Sequence, residues 1–185
     1  MLTSPWGLVQ VSETIIRGVE RVATSGHGGI MVEKIFGDEN FSKEAIKRAT
    51  VHGNYYCYEE DCEWAIPMLE LKDKWKEIYG DHIEECEKNI LKTLSLYDPD
   101  YLLVKGITPL EPEYTQYKEY ALTNELRMKK SPDLIISAKG SWHTGVEGTI
   151  EVQTADNKCY LIKEAGYGEM TIKLLSKCEI IKELC

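Results

Sequence analysis

The stretch YYCYEEDCEWAIPMLEL, residues 55–71, places four acids around Cys62 and continues directly into an apolar run. From Tyr58 onward, the apolar residues recur at three- and four-residue spacing, which predicts a helix with Cys62 on its inner face. Pro67 removes an amide donor from this run, so a kink or break is expected near it. The acids are either a metal or catalytic site or the acidic start of the helix, because a helix dipole favours carboxylates in its first turn.

Helical spacing also predicts three other helices. A short one covers residues 40–49, where Asn40 or Ser42 is available to cap its exposed amides. A second covers residues 81–97, and a third covers residues 113–130, between prolines that delimit it. The apolar stripe of the second consists of Ile83, Cys86, Ile90, Leu94 and Tyr97, and that of the third of Tyr114, Tyr117, Ala121 and Met128.

Strand patterns lie on both sides of the helical region. The runs LVQV, GVERVAT and GIMV within residues 8–32 predict a small antiparallel meander, with SGHGG as a tight turn because glycine tolerates positive φ. Alternating apolar residues, a turn at ADNK and the run CYLI predict a hairpin over residues 146–162. The tail from residue 169 fits a strand or a short helix. The chain is therefore expected to form one α+β domain, residues 1–185, with an N-terminal antiparallel β meander, central helices and a C-terminal β hairpin.

Charge and composition narrow the classes of partner. The 185 residues carry a net charge of −9, which opposes nonspecific adhesion to nucleic acid or anionic membranes. Between residues 59 and 100, thirteen acids face five lysines. The N-terminus lacks a secretory pattern, and no window of the chain is apolar over the length that a membrane helix needs, so the bacterial cytoplasm is the expected location. Six cysteines there are expected to be thiols or metal ligands rather than disulfides.

Two histidines in glycine-flanked loops and the acidic cluster are candidate ligands for a zinc-like ion. The predicted set is His27, Glu60, Asp61 and His143, with His52, Cys57 and Cys62 as substitutes. Each histidine also has a plain structural explanation, since His27 can hydrogen-bond a tight turn and His143 can pack in its loop. The sequence contains no phosphate loop, dinucleotide fingerprint or nucleophile elbow, so no catalytic residue is assigned.

Several segments together resemble an uncharacterised domain of proteins from phages and integrating or conjugative elements. They are SPWGLVQVSE, VATSGHGGI, YEEDCEWA and, much later, GSWHTGVEGTIEVQ with CYLIKEAGYG. The family's repeated pieces correspond here to Pro5, Trp6, Gly7, His27, Gly28, Gly29, Glu59, Glu60, Asp61, Trp64, Trp142 and His143. The resemblance identifies candidate site residues and implies no reaction.

A small acidic protein of a mobile element is similar in character to type II-A anti-CRISPR proteins. This similarity implies an inhibitor that binds the RNA-guided DNA endonuclease of type II CRISPR systems and prevents target DNA from loading, because those effectors hold nucleic acid in positive channels. One alternative is a metal-dependent hydrolase or nuclease that uses the four predicted ligands. Another is a regulatory module that binds a partner through its tyrosine-rich helix.

Overall fold

The computed structural model describes residues 2–184 and divides into two compact units, Met1–Tyr114 and Thr115–Cys185. Each unit combines helices with antiparallel strands, which confirms the predicted α+β class. The expectation of one domain over residues 1–185 stays a prediction. Within residues 2–184, no helix is both long and apolar enough to cross a bilayer.

Within residues 2–114, the first unit contains seven strands, and five of them form one antiparallel sheet. The strands are β1 Thr3–Ser4, β2 Gly7–Leu8, β3 Val11–Ile16, β4 Val19–Ala23, β5 Gly28–Glu33, β6 Thr50–His52 and β7 Tyr55–Glu59. β1 pairs with β2, and the five-stranded sheet has the order β3-β4-β5-β7-β6. The predicted N-terminal meander is confirmed, but its first strand is β3, Val11–Ile16, and not the run LVQV at residues 8–11. β7 extends the meander on the far side of β5.

The strand β7 occupies the place where the spacing predicted the start of a helix. Tyr58 pairs with Ile30 of β5, is fully buried, and donates its hydroxyl to the carbonyl of Ala45 at 3.1 Å. Three of the residues at 55–58 are tyrosines, and aromatic side chains fit a pleated, half-buried surface. The predicted helix from Tyr58 is therefore wrong, and Cys62 lies in a turn before the helix.

Six α-helices in the described part of the first unit cover one face of its sheet. They are α1 Lys34–Asn40, α2 Lys43–Arg48, α3 Ala65–Glu70, α4 Trp75–Tyr79, α5 Ile83–Tyr97 and α6 Pro99–Val104. Ser42, one of the two predicted caps, caps α2 by accepting from the amide of Ala45 at 3.3 Å. Pro67 is the third residue of α3, where helix amides have no intrahelical acceptor, so the expected kink has no cause.

The predicted stripe of α5 is only partly buried. Ile90 and Leu94 are in the core, whereas Tyr97 is 57% exposed at the end of the helix. Residues 81 and 82, which were expected to begin this helix, belong to a 3-10 turn at Gly80–His82. The predicted helix is confirmed from Ile83 onward.

Apolar side chains on both faces of the sheet hold the first unit together. On the helical face, Val19, Ile30, Val32 and Tyr58 pack with residues of α3 to α6 in one core cluster. On the opposite face, a smaller cluster contains Val22, Met31 and Cys57, against which Trp6, Leu2, Val9 and Tyr55 pack. The alternation of side chains along β4, β5 and β7 accounts for the two clusters.

A buried carboxylate connects three helical elements of the first unit. The side chain of Glu70, at the end of α3, is 5% exposed. It accepts hydrogen bonds from the amide and hydroxyl of Ser42 at 2.9 and 2.8 Å, from Lys105 at 2.7 Å and from the hydroxyl of Tyr101. All of its donors lie outside α3. Glu70 therefore ties α3 to the start of α2, to Tyr101 in the first turn of α6 and to Lys105 directly after α6.

The second unit contains a four-stranded antiparallel sheet with the order β11-β10-β9-β8. Its elements are α7 Glu113–Met128, which spans the boundary, β8 Ile135–Lys139, α8 Ser141–Thr144, β9 Thr149–Thr154, β10 Cys159–Lys163 and β11 Ile180–Glu183. β9 and β10 form the predicted hairpin, in which Val152 is paired with Tyr160. The tail contains both predicted alternatives, a 3-10 turn at Leu175–Lys177 and the strand β11.

The stripe predicted for α7 does not face a core within its own unit. None of the sixteen residues of this helix, all of them described, is fully buried, and Met128 is 86% exposed. The core of the second unit lies instead around the sheet, where Ile135, Ile150, Val152, Ile162 and Leu175 pack together.

Candidate functional site

Antiparallel pairing brings two of the sequence motifs together at one end of the first sheet. His27 directly precedes β5, and Glu59 ends β7. Because Gly29 is paired with Glu59, the turn before β5 lies beside the residues that leave β7. The amide of Glu60 donates to the carbonyl of Gly28 at 3.2 Å, which extends the pairing by one more residue.

The resulting cluster consists of His27, Glu59 and Glu60. One potential ligand atom from each side chain lies within 4.8 Å of the other two. A tetrahedral ion with bonds of about 2.0–2.2 Å needs ligand atoms about 3.4 Å apart, so a small rearrangement of these side chains would be required. One imidazole and two carboxylates form a donor set that suits zinc, with a position left for water. His27 and Glu60 are exposed, and exposed acids also cluster where no ion binds.

The two glycines after His27 are required because other atoms pack closely against them, and not because they form a turn. Neither Gly28 nor Gly29 has a positive φ, and both belong to β5, so the predicted reason for these glycines is wrong. A Cβ on Gly28 would lie 2.7 Å from a carboxylate oxygen of Glu60 and 2.5 Å from the carbonyl oxygen of Val22. A Cβ on Gly29 would lie 2.1 Å from the carbonyl oxygen of Tyr58 and 2.4 Å from the indole of Trp6. These two glycines therefore allow Trp6 and Glu60 to lie against the sheet.

The tight turn itself precedes the glycine pair. The amide of Thr24 donates to the carbonyl of His27 at 2.8 Å, and the hydroxyl of Thr24 donates to the same carbonyl at 2.7 Å. His27 contributes only its backbone to these bonds. The turn that His27 was expected to stabilise thus leaves its imidazole exposed beside the two glutamates.

The acidic cluster is a turn between a strand and a helix. Two of its side chains accept hydrogen bonds from backbone amides of the same stretch, since Glu59 accepts from the amide of Asp61 at 2.7 Å and Glu63 accepts from the amide of Glu59 at 3.1 Å. The first turn of α3 contains no acid. The helix dipole therefore does not explain this cluster, whereas the need to satisfy backbone amides in a sharp turn explains part of it.

Among the predicted ligands, His27 and Glu60 come together, and Glu59 joins them. Asp61 is exposed in the same turn, outside the three-residue cluster. His143 belongs to α8 of the second unit, where its ring lies 3.5 Å from Glu151 and contacts Trp142 edge-on. The full predicted set stays a prediction. Glu59 was part of the quoted acidic run, but only the pairing of β5 with β7 distinguishes it from its neighbours.

The three substitute ligands have other partners. The ring of His52 lies 3.1 Å from the hydroxyl of Thr3. Cys57 is fully buried, and burial raises the pKa of its thiol to about 11. Burial, together with the charges of Glu63, Glu59 and Asp61, also raises the pKa of Cys62. Without a metal ion, both thiols therefore hold their protons more tightly than a free cysteine does.

A cavity of about 330 Å³ opens beside this cluster. Its lining comes from β4, β5 and the turn before α3, and consists of Arg21, Val22, Ala23, Gly29, Ile30, Glu60 and Trp64. Glu60 belongs to both the cavity and the three-residue cluster. Residues from the runs GVERVAT and GIMV and from the stretch 55–71 thus line a single cavity.

These segments lie within a known domain family. Residues 1–125 match the family described as a domain of unknown function (DUF7007), and the chain belongs to this family. The match covers the whole first unit and the beginning of the second, and His143 lies outside it. Neither the curated proteins nor the solved structures contain a match to the chain.

Proposed function

We propose that this protein is an inhibitor that binds the RNA-guided DNA endonuclease of type II CRISPR systems through its acidic helices. The observation that carries the proposal is the exposed, largely unneutralised acidic surface of residues 70–87, named here the acidic segment. The origin in a phage or other mobile element, suggested by the sequence motifs, is part of the same proposal.

The excess negative charge belongs entirely to one unit of the chain. Residues 1–114 contain 21 acids and 12 lysines and arginines, whereas residues 115–185 contain ten of each. A concentrated charge produces a stronger local potential than the same charge dispersed over the surface. The first unit therefore supplies the surface that a basic partner would meet.

Within the acidic segment, most carboxylates face solvent. Four exposed acids have no ion pair among residues 2–184, and they are Asp73, Glu77, Glu84 and Glu85. The other three acids of the segment have lysine partners: Glu87 with Lys72 at 2.9 Å, Asp81 with Lys76 at 3.1 Å and the buried Glu70 with Lys105 at 2.7 Å. The unpaired carboxylates are available to the lysines and arginines of a partner.

Competition with nucleic acid gives the proposed mechanism. The endonuclease holds its nucleic acids in a positively charged channel, where its basic side chains contact phosphates. Carboxylates presented by a folded surface can occupy those side chains and exclude target DNA. Complementary charge also increases the association rate and makes the binding weaken with salt.

Reversal of the four unpaired acids should abolish this inhibition. The variant Asp73→Lys, Glu77→Lys, Glu84→Lys and Glu85→Lys should lose at least tenfold in affinity for the guide-loaded endonuclease, since each reversal replaces an attraction with a repulsion. The measurement is fluorescence anisotropy of labelled target DNA as the protein is titrated against the endonuclease. Wild-type inhibition should be stoichiometric and should weaken as the salt concentration rises.

A matched control tests whether inhibition depends on the acidic segment or only on the total charge of the protein. Reversal of Glu39, Glu147, Glu164 and Glu169 changes the net charge equally at exposed positions outside the segment, and this variant should inhibit as the wild type does. Equal losses in the two variants would contradict a defined binding surface. No effect of the wild-type protein on the endonuclease at micromolar concentration would contradict the function itself.

A second candidate function is that of a metal-dependent hydrolase or nuclease, and the cluster of His27, Glu59 and Glu60 favours it. A zinc ion held there would activate a bound water molecule for attack on a substrate. The cluster lies beside a cavity, as a reaction site requires. The same ion without hydrolytic activity would serve the inhibitor as a structural element that ties the turn before β5 to the end of β7.

The metal content of alanine variants tests the ligand set. We expect dialysed wild-type protein to retain about one zinc ion per chain, and the variants Glu59→Ala and His27→Ala to lose it, because each would leave two ligands. The controls Asp61→Ala and His143→Ala should retain the ion. Loss in these controls would instead support the set predicted from sequence, and a wild-type protein free of metal would contradict both sets.

A further inference from the structure

The cavity beside the acidic turn lies on the helical face of the sheet, at an end where small residues leave room. On β4, Arg21 and Ala23 project to this face, because they alternate with Val22, which belongs to the opposite cluster. Ala23 is paired with Gly28, and Arg21 is paired with Ile30. The lining includes two small residues, Ala23 and Gly29, beside the larger side chains.

Opposite charges line the cavity without neutralising each other. Arg21 and Glu60 both contribute to the lining, yet none of the ion pairs within residues 2–184 joins them. The ion-pair partner of Arg21 is Glu13 at 3.7 Å, and both of these side chains are at least 60% exposed. Such an exposed pair contributes little, so Arg21 can exchange it for a ligand at small cost.

The remaining side chains supply an apolar surface between the two charges. Ile30 is 2% exposed and packs in the main core, and Trp64 packs partly against the same core. The indole of Trp64 is therefore held in place where it lines the cavity. Its apolar surface suits a hydrocarbon or aromatic group about the size of an amino-acid side chain.

We infer that this cavity binds a small zwitterion with an apolar body, of which an α-amino acid with an apolar side chain is the simplest example. Arg21 would hold the carboxylate with its planar guanidinium, Glu60 would accept from the ammonium group, and Trp64 would cover the side chain. A volume of about 330 Å³ is at the small end of the range for ligand cavities, which excludes most larger metabolites. This binding depends neither on the endonuclease nor on a metal ion.

Three related probes test the assignment with the full-length protein. L-phenylalanine carries both charges, phenethylamine lacks the carboxylate and 3-phenylpropionate lacks the ammonium group. Binding is followed by nuclear magnetic resonance through the indole N–H of Trp64 and the amide of Gly29, with a chelator present so that no ion occupies Glu60. L-phenylalanine should bind on the order of tenfold more tightly than either analogue, since each analogue lacks one charge-assisted contact.

Two variants assign the charges to their residues. Arg21→Gln should weaken L-phenylalanine on the order of tenfold and leave phenethylamine unchanged, whereas Glu60→Gln should weaken L-phenylalanine and leave 3-phenylpropionate unchanged. The control Arg17→Gln, at an exposed arginine that lines a different cavity, should have no effect. Equal affinity for the three probes, no shift of these signals at millimolar concentration, or indifference to both variants would overturn the assignment.

Discussion

Replacing Glu70 with alanine should lower the free energy of unfolding by about 3–5 kcal/mol, the range measured when one partner of a buried ion pair is removed. The substitution leaves the ammonium group of Lys105, whose side chain is 29% exposed, and the buried hydroxyl of Tyr101 without their acceptor. It also releases the N-terminus of α2, since both the amide and the hydroxyl of Ser42 lose a bond. Urea unfolding followed by tryptophan fluorescence measures the change.

The charge of Glu70 adds a dependence on pH. Burial raises the pKa of this carboxyl, but the hydrogen bonds from Lys105, Tyr101 and Ser42 outweigh burial and hold the pKa below the ordinary value of 4.5. A lowered pKa means that the stabilisation is complete above the unfolded-state pKa and is lost as the pH falls through the folded-state pKa. The advantage of wild type over Glu70→Gln should therefore be constant above about pH 5 and shrink in more acidic solution.

An exposed acid nearby provides the control for both measurements. Glu84, in the first turn of α5, is exposed and has no ion pair among the described residues. Glu84→Ala should change the free energy of unfolding by no more than about 0.5 kcal/mol. A Glu70→Ala variant as stable as Glu84→Ala, or a Glu70→Gln difference that is the same at neutral and acidic pH, would contradict the role assigned to Glu70.

The second large effect is expected at Gly29. Gly29→Ala should cost about 3 kcal/mol or more, which is the upper range for overpacking a well-filled site. The added carbon would lie 2.1 Å from the carbonyl oxygen of Tyr58, so β5 and β7 must separate locally, and 2.4 Å from the indole of Trp6. Urea unfolding measures the loss of stability, and the fluorescence of the native state reports the displacement of Trp6.

Gly26→Ala is the matched control, because it makes the same chemical change three residues earlier. A Cβ at Gly26 has no neighbour within 4 Å among the described atoms, and the φ of this glycine is not positive. The variant should therefore lie within about 0.5 kcal/mol of the wild type. Equal stabilities for the two alanine variants would show that the approach of Trp6 and β7 to Gly29 is not tight.

Local periodicity predicted those elements whose own side chains determine their conformation. β9 alternates apolar and polar residues, β10 follows it after a turn as a short apolar run, and α5 repeats its apolar residues over four turns. The patterns of β9 and α5 are long enough to distinguish the two-residue period of a strand from the 3.6-residue period of a helix. The prediction of a helix from Tyr58 was wrong because the apolar residues before and after the acidic turn happen to keep helical spacing. Tyr58 belongs to a strand and Ala65 to a helix.

The candidate site shows the same division. The residue types were evident from sequence, since His27, Glu60 and the glycines between the strands were singled out by their chemistry and setting. The sequence did not show which acid lies beside His27, because the four neighbouring acids differ only in the direction of their side chains. The register between β5 and β7, which pairs Gly29 with Glu59, makes that choice.

The sequence by itself determined the α+β class, the acidic character and the candidate residues, because hydrophobic periodicity and charge are properties of the chain at short range. Only the tertiary structure decided why Gly28 and Gly29 lack side chains, since the atoms that exclude a Cβ belong to Trp6, Tyr58 and Glu60, far away in the chain. Nor does any local pattern bring Arg21 and Glu60 to the lining of one cavity. Contacts between distant segments depend on strand register, and register is set by the packing of the whole sheet.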